Sequence, residues 1–157
     1  MNDVSKPETQ RFYMDELYVG QRFTSGTAQI DRDRIISFAT EFDPQPFHLD
    51  EEAAKASLFK GLAASGWHTA SVTTRLLVEG GLPFAGGLVG GGVTIEWPIP
   101  TRPGDILHVE TEIVDITPSR SRPNKGVVTV AGATKNQRGE VVQKITIKSH
   151  VIARPAP

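Results

Sequence analysis

Residues 42–50 read Phe-Asp-Pro-Gln-Pro-Phe-His-Leu-Asp, which places a carboxylate, Asp43, five residues before an imidazole, His48. Pro44 and Pro46 each fix their own φ and restrain the residue before them, so this stretch is expected to be a stiff, extended loop. Adding water across a double bond requires one group to accept a proton from the water. It also requires a group that holds the water and delivers a proton to carbon, and an Asp and a His on a rigid support can do both. The same spacing also suits a turn capped by Asp43 with a structural histidine at 48.

A second element lies at residues 62–68, Leu-Ala-Ala-Ser-Gly-Trp-His. Ser65 is a good helix cap, and the first N–H groups of a helix have no internal acceptor while its dipole adds positive potential there. Gly66 at that point would let a carbonyl oxygen approach the backbone, giving an oxyanion-type site for a thioester carbonyl that gains charge during enolate formation. An ordinary Ser cap followed by a packing glycine is the simpler alternative. His68 reads as a packing residue, and His108 and His150 lie in strand patterns without metal-ligand spacing, so no metal is expected. The glycine-rich stretch 86–92 lacks the Lys and Ser/Thr of a phosphate loop and precedes a strand pattern; it reads as loop and bulge.

The elements that must position these groups follow from periodicity. Residues 21–30 suggest a strand. Asp31 or Asp33 can cap a helix whose buried face is Ile35, Ile36, Phe38 and Ala39. Residues 51–58 form a short acid-led helical stretch. The longest helical signal runs from Ser65 to Glu79, with Ala70, Val72, Thr73, Leu76 and Leu77 at helical spacing and Gly80-Gly81 as a stop. From Val89 onward the chain reads as strands, at 90–97, 105–116, 125–136 and 140–153, with a hairpin turn at Asn136–Gly139. Residues 127–131 are apolar or β-branched throughout, as in a strand covered on both faces. Trp97 is expected in a core, an interface or a ligand tunnel. The order implies an α+β fold with helices on one face of an antiparallel sheet and the long helix buried against it. Residues 1–12 are expected to be a flexible arm and 13–157 a single domain.

Composition narrows the class. The 157 residues carry 17 Lys plus Arg against 18 Asp plus Glu, net −1, which argues against a nucleic-acid partner. The basic cluster Arg120, Arg122 and Lys125 reads as a solvated loop. With no cysteine, disulfides, thiolate nucleophiles and Cys-based zinc sites are excluded. No apolar run approaches the ~20 residues needed to span a bilayer, and the N-terminal residues lack the apolar core of a signal peptide. A cytoplasmic domain is therefore expected.

Taken together, residues 38–71 resemble the hydratase motif of the MaoC-like dehydratases, the (R)-specific enoyl-CoA hydratases with a hot-dog fold. Asp43 and His48 fall on that motif's catalytic pair, with Pro46 and Asp50 in register. Gln45 stands where an Asn is usual, and Ser65-Gly66-Trp67 replaces His-Gly-Met. Ser71 falls on a serine that lies near the pair in some members. The resemblance continues to the C-terminus, including a Pro-Gly-Asp connection at 103–105.

It implies a curved sheet wrapped around one long central helix, and syn hydration of a 2-enoyl thioester, or the reverse. Asp43 and His48 would hold one water, Gly66 and Ser65 would receive the thioester carbonyl, and Gln45, Trp67 and Ser71 would contact substrate. No cofactor is implied beyond the CoA of an acyl-CoA substrate. The implied partner is a second copy of the chain. An acyl-thioester binder or a thioesterase on the same fold would lack this hydration.

Overall fold

The computed structural model describes residues 10–157. Two short strands, β1 (Arg22–Thr24) and β2 (Ala28–Gln29), precede the helices α1 (Arg32–Phe42), α2 (Pro46–Leu49), α3 (Glu51–Lys55) and α4 (Gly66–Leu76). Four longer strands follow: β3 (Val89–Glu96), β4 (Ile106–Pro118), β5 (Lys125–Lys135) and β6 (Val141–Ile152). The antiparallel sheet runs β1-β4-β5-β6-β3, with β2 also on β4. The expected strand at 21–30 is thus two, both paired to β4, and Ser25 bonds Val109 in the gap through its backbone and its hydroxyl.

The buried faces of β4, β5 and β6 pack against α4 and the turn after it. Leu76, Leu77, Leu82 and Phe84 meet Leu107, Val109, Ile113, Val128, Val130 and Val151 there. Buried hydroxyls also tie α4 to its surroundings: Thr69 donates to Thr101 of the β3–β4 connection at 2.9 Å, and Thr73 shares a 2.7 Å bond with Thr134 of β5. A second small core of Ile30, Ile35, Ala54, Leu62 and Ala64 sits beneath α1. This is the α+β arrangement expected from the sequence.

Several local expectations are corrected. The helical signal beyond Leu76 becomes a wider π-type turn, Leu77–Gly81. The helical stretch expected at 51–58 ends at Lys55. β5 is covered on one face only; Val127 and Thr129 on the other are half-buried and Ala131 is exposed. Of the expected N-terminal arm, residues 1–9 lie outside the described residues. Phe12 is docked: its N–H donates to the Pro83 carbonyl at 2.9 Å, and its ring meets Phe23. The Asn136–Gly139 turn and a bulge within the glycine run, between Gly90 and Gly92, are present.

α1 is capped by Asp31, whose carboxylate accepts from the Arg34 amide at 2.8 Å, and it is joined to α4 by an aromatic stack. Phe38 and His68 lie face to face, 4.7 Å between centroids and 5° between planes. Burial and the charge of Arg34 hold the His68 imidazole below its ordinary pKa, with Asp31 acting in the opposite sense. The folded chain therefore favours the neutral ring, and the unfolded chain takes up the proton more readily. This contribution to stability is present above the ordinary imidazole value of about 6.5 and is lost as pH falls through the folded value. Thermal melts between about pH 7.5 and pH 5 are expected to show a smaller loss of Tm on acidification for His68→Leu than for the wild type. Equal losses would contradict this assignment.

Candidate active site

Asp43 terminates α1, where its amide donates to the Ala39 carbonyl at 2.9 Å. The next residues do not run as an extended loop. Pro46 takes the first position of a helical turn, where its missing N–H costs nothing. The carbonyls of Gln45 and Pro46 then accept from His48 and Asp50, each at 3.0 Å. The turn swings His48 inward, leaving it 3% exposed. Asp50 caps α3 by accepting from the Ala53 amide at 2.7 Å, which explains its register with the pair without giving it chemistry.

The His48 ring is fixed at both nitrogens. Nδ1 lies 2.6 Å from the Ala63 carbonyl oxygen and Nε2 lies 3.4 Å from Asp43 Oδ2. A carbonyl can only accept, so Nδ1 carries the proton and Nε2 of the neutral ring presents its lone pair to the carboxylate. Phe47 and Phe59 pack around the imidazole, with centroids 4.6 and 5.8 Å away.

Asp43 feels opposing influences. Burial pushes its carboxyl up, but hydrogen bonds from Ser65 and Gln45 and the nearby His48 ring together bring it below the usual carboxylate value. The Gln45 amide donates to Asp43 Oδ1 at 2.6 Å. Ser65, fully buried, also caps α4 by accepting from the Trp67 amide at 3.2 Å, so one hydroxyl couples the helix start to the carboxylate.

Asp43 and His48 line a cavity of about 830 Å³, whose wall also includes Gly66, Trp67, Thr69 and Trp97. Asp43 is its one acid, against two cations, Lys60 and Arg102. The amides of Trp67, His68 and Thr69 all have acceptors on Ser65. The Gly66 amide is without one among the described residues. Gly66 has to be glycine, because a Cβ there would lie 2.6 Å from the Trp97 ring. Trp97 meets Trp67 edge to face at 5.4 Å, and its indole N–H donates to Gln143 Oε1 at 2.9 Å.

The structure therefore brings Asp43, Gln45, His48, Gly66 and Trp67 to one cavity, with Ser65 behind the carboxylate. Ser71 is not brought there: it is exposed on α4, and its hydroxyl donates to the Trp67 carbonyl at 2.8 Å. Sequence reading missed Arg102, Phe59 and Gln143. A glutamine at an inward position of β6, among Ile145, Ile147 and Val151, was a signal for the last of these. Among the described residues no cluster of His, Asp and Glu could hold a metal. No helix there is long and apolar enough to cross a membrane.

This architecture is the hot-dog fold, and the model of the MaoC like domain matches residues 18–136. The chain belongs to that family. A MaoC-like dehydratase from Rhodospirillum rubrum, known from its crystal structure, is 58% identical and superimposes with a TM-score of 0.91, covering 92% of this chain and 99% of that one. YdeM of Bacillus subtilis is 35% identical over 128 residues, 80% of this chain and 88% of that protein. The 3-hydroxybutyryl-CoA dehydratase of Methylorubrum extorquens is 28% identical over 144 residues, 90% and 89% of the two chains.

The balance at Asp43 can be read directly. In a ¹³C-labelled protein the Asp43 carboxyl is expected to titrate below the ordinary value of about 3.9, and Ser65→Ala is expected to move that midpoint up. A midpoint unmoved by the substitution would remove Ser65 from the site's electrostatics.

Proposed function

We propose that this chain hydrates 2-enoyl thioesters, and in reverse dehydrates 3-hydroxyacyl thioesters, with acyl-CoA as the substrate. The observation that carries this reading is that His48 Nε2 faces Asp43 Oδ2 at 3.4 Å while Nδ1 lies on the Ala63 carbonyl. Neither can donate to the other while the ring is neutral and the carboxyl ionised. A water can donate one proton to each and keep a lone pair for carbon.

In the forward direction the water oxygen bonds to C3 while one water proton passes to the pair. The carbon–carbon π electrons move toward C1, building enolate charge on the thioester oxygen, which Gly66 N–H stabilises at the α4 N-terminus. The pair then returns a proton to C2 and the carbonyl reforms, so water is added with no net change at the enzyme. Both new bonds form on the side of the substrate that faces the pair, which makes the addition syn.

Other features support the same reading. The exposed cation of Lys60 suits the phosphates of CoA, and the aromatic walls suit an acyl chain. The relative from Methylorubrum extorquens is named for dehydration of such a thioester. A second copy of the chain is the protein partner this reading calls for. β3 pairs with β6 on one side only among the described residues, and Val89 and Val93 are exposed along it. Trp67 and Trp97 are 60% and 41% exposed near its end, where a joined sheet would cover them.

Crotonyl-CoA is the probe. Loss of enoyl absorbance without release of thiol is expected for the wild type, with Asp43→Asn and His48→Ala each lowering the rate by about 10²–10⁴-fold. Thiol release would instead identify a thioesterase, and binding without turnover a carrier; either overturns the proposal.

A further inference from the structure

Arg102 takes no part in the proton transfers above, yet its bonds end beside them. Its guanidinium donates from Nη1 to the carbonyls of Gly61, at 2.8 Å, and Leu62, at 3.3 Å, and from Nη2 to the carbonyl of Phe59. Among the described residues its side chain meets no carboxylate. Its charge is spent on gathering the backbone of residues 59–62.

That segment needs gathering. Lys60 has φ +58°, the one positive value at a non-glycine position among the described residues. Such a conformation persists where its surroundings over-determine it. Gly61 completes the fit, because a Cβ there would stand 3.3 Å from Arg102 Nη1. The next residue is Ala63, whose carbonyl holds His48 Nδ1 at 2.6 Å. Ala64 then donates to the Thr101 carbonyl at 2.9 Å, so the segment is fastened at both ends by neighbouring residues of the β3–β4 connection.

Arg102 is itself held by a tight turn. Its amide donates to Asp105 Oδ2 at 2.9 Å, the Asp105 amide returns a bond to the Arg102 carbonyl at 3.1 Å, and Gly104 turns the chain at φ +88°. Asp105 is 2% exposed, and its other oxygen accepts from Gln137 at 3.1 Å.

We infer that Arg102 is a positioning residue for His48. Anchored by the 102–105 turn, it holds residues 59–62 so that the Ala63 carbonyl stays on Nδ1 and the Nε2 lone pair stays on the Asp43 side. The planar fork of a guanidinium can reach three carbonyls at once; a lysine ammonium is a single point of charge on a flexible stem. The catalytic consequence rests on the hydratase reading, but the geometric one does not.

The test uses the ¹⁵N-labelled full chain, as wild type, Arg102→Lys and Arg102→Met, without substrate. In the wild type His48 is expected to show a protonated Nδ1 and a bare Nε2. In both variants the Nδ1 proton is expected to exchange with water about tenfold faster, with the other tautomer appearing. An unchanged tautomer and exchange rate in folded variants would overturn the inference. Should the variants at 102 fail to fold, Gly61→Ala, which presses on the guanidinium without removing it, is expected to shift the same signals in the same sense; no shift there overturns the inference equally.

Turnover separates this role from direct phosphate binding. With crotonyl-CoA, Arg102→Lys is expected to lose up to about a hundredfold in kcat, with KM altered less than about threefold. The same loss is expected with crotonyl-N-acetylcysteamine, which carries no phosphate. A rise in KM confined to the CoA substrate, with kcat intact, would make Arg102 a phosphate ligand and overturn the inference. A wild type that hydrates neither substrate would sink the hydratase reading and leave the tautomer measurement to decide this one.

Discussion

The hydrogen bond from His48 Nδ1 to the Ala63 carbonyl is the contact on which the site depends. Without it the imidazole could carry its proton on either nitrogen, and the side facing Asp43 would alternate between donor and acceptor. With it, a lone pair and a carboxylate face each other, and the arrangement calls for a donor between them. A backbone carbonyl serves well here because it cannot change protonation. The rest of the fold can be read as the means of holding that one oxygen still: the Phe47 carbonyl accepts from the Ala63 amide, Thr101 takes the next amide, and the first turn of α4 begins two residues later.

Burial sets the second constraint. The carboxylate and imidazole sit among phenylalanines and tryptophans, a setting that favours neutral forms. Asp43 is kept ionised by donors that serve other purposes as well. Ser65 caps α4 and Gln45 begins the α2 turn. The replacement of His-Gly-Met by Ser-Gly-Trp therefore changes more than the cavity wall. Serine supplies a neutral hydroxyl to the carboxylate, and Trp67 joins Trp97 in an aromatic corner over Gly66.

Much of this was legible in the residue string, and the limits of the reading have physical causes. The spacing of Asp43 and His48 also suited a capped turn and pointed to a pair only through the resemblance of residues 38–71 to a family motif, whereas the cap at Ser65 and the glycine at 66 could be seen because short-range chemistry dictates them. The α+β order, the Asn136–Gly139 turn and the bulge near Gly91 followed from local pattern in the same way. The helical turn at Pro46–Leu49 was not visible, because two prolines signal extended chain, and only the hydrogen bonds onto Gln45 and Pro46 reveal that the second begins a helix. A place for Ser71 near the pair follows from the motif resemblance alone. In three dimensions it stands one helical turn beyond Trp67, exposed and outside the cavity wall, with its hydroxyl bonded to the Trp67 carbonyl. Arg102 was invisible for a different reason: its partners are carbonyls 40 to 43 residues away, which carry no side-chain signature. Contacts from side chain to distant backbone are the class that single-sequence reading misses.

The central claim is that one water, held by one pair on one side of the substrate, supplies both new bonds. Hydration of crotonyl-CoA in deuterium oxide tests it most directly. Proton spectra of the 3-hydroxybutyryl product should show a single deuterium at C2 and one diastereomer, that of syn addition. A mixture of C2 epimers, or the anti product, would mean that hydroxyl and proton arrive from different sources, and the Asp43–His48 account would be contradicted.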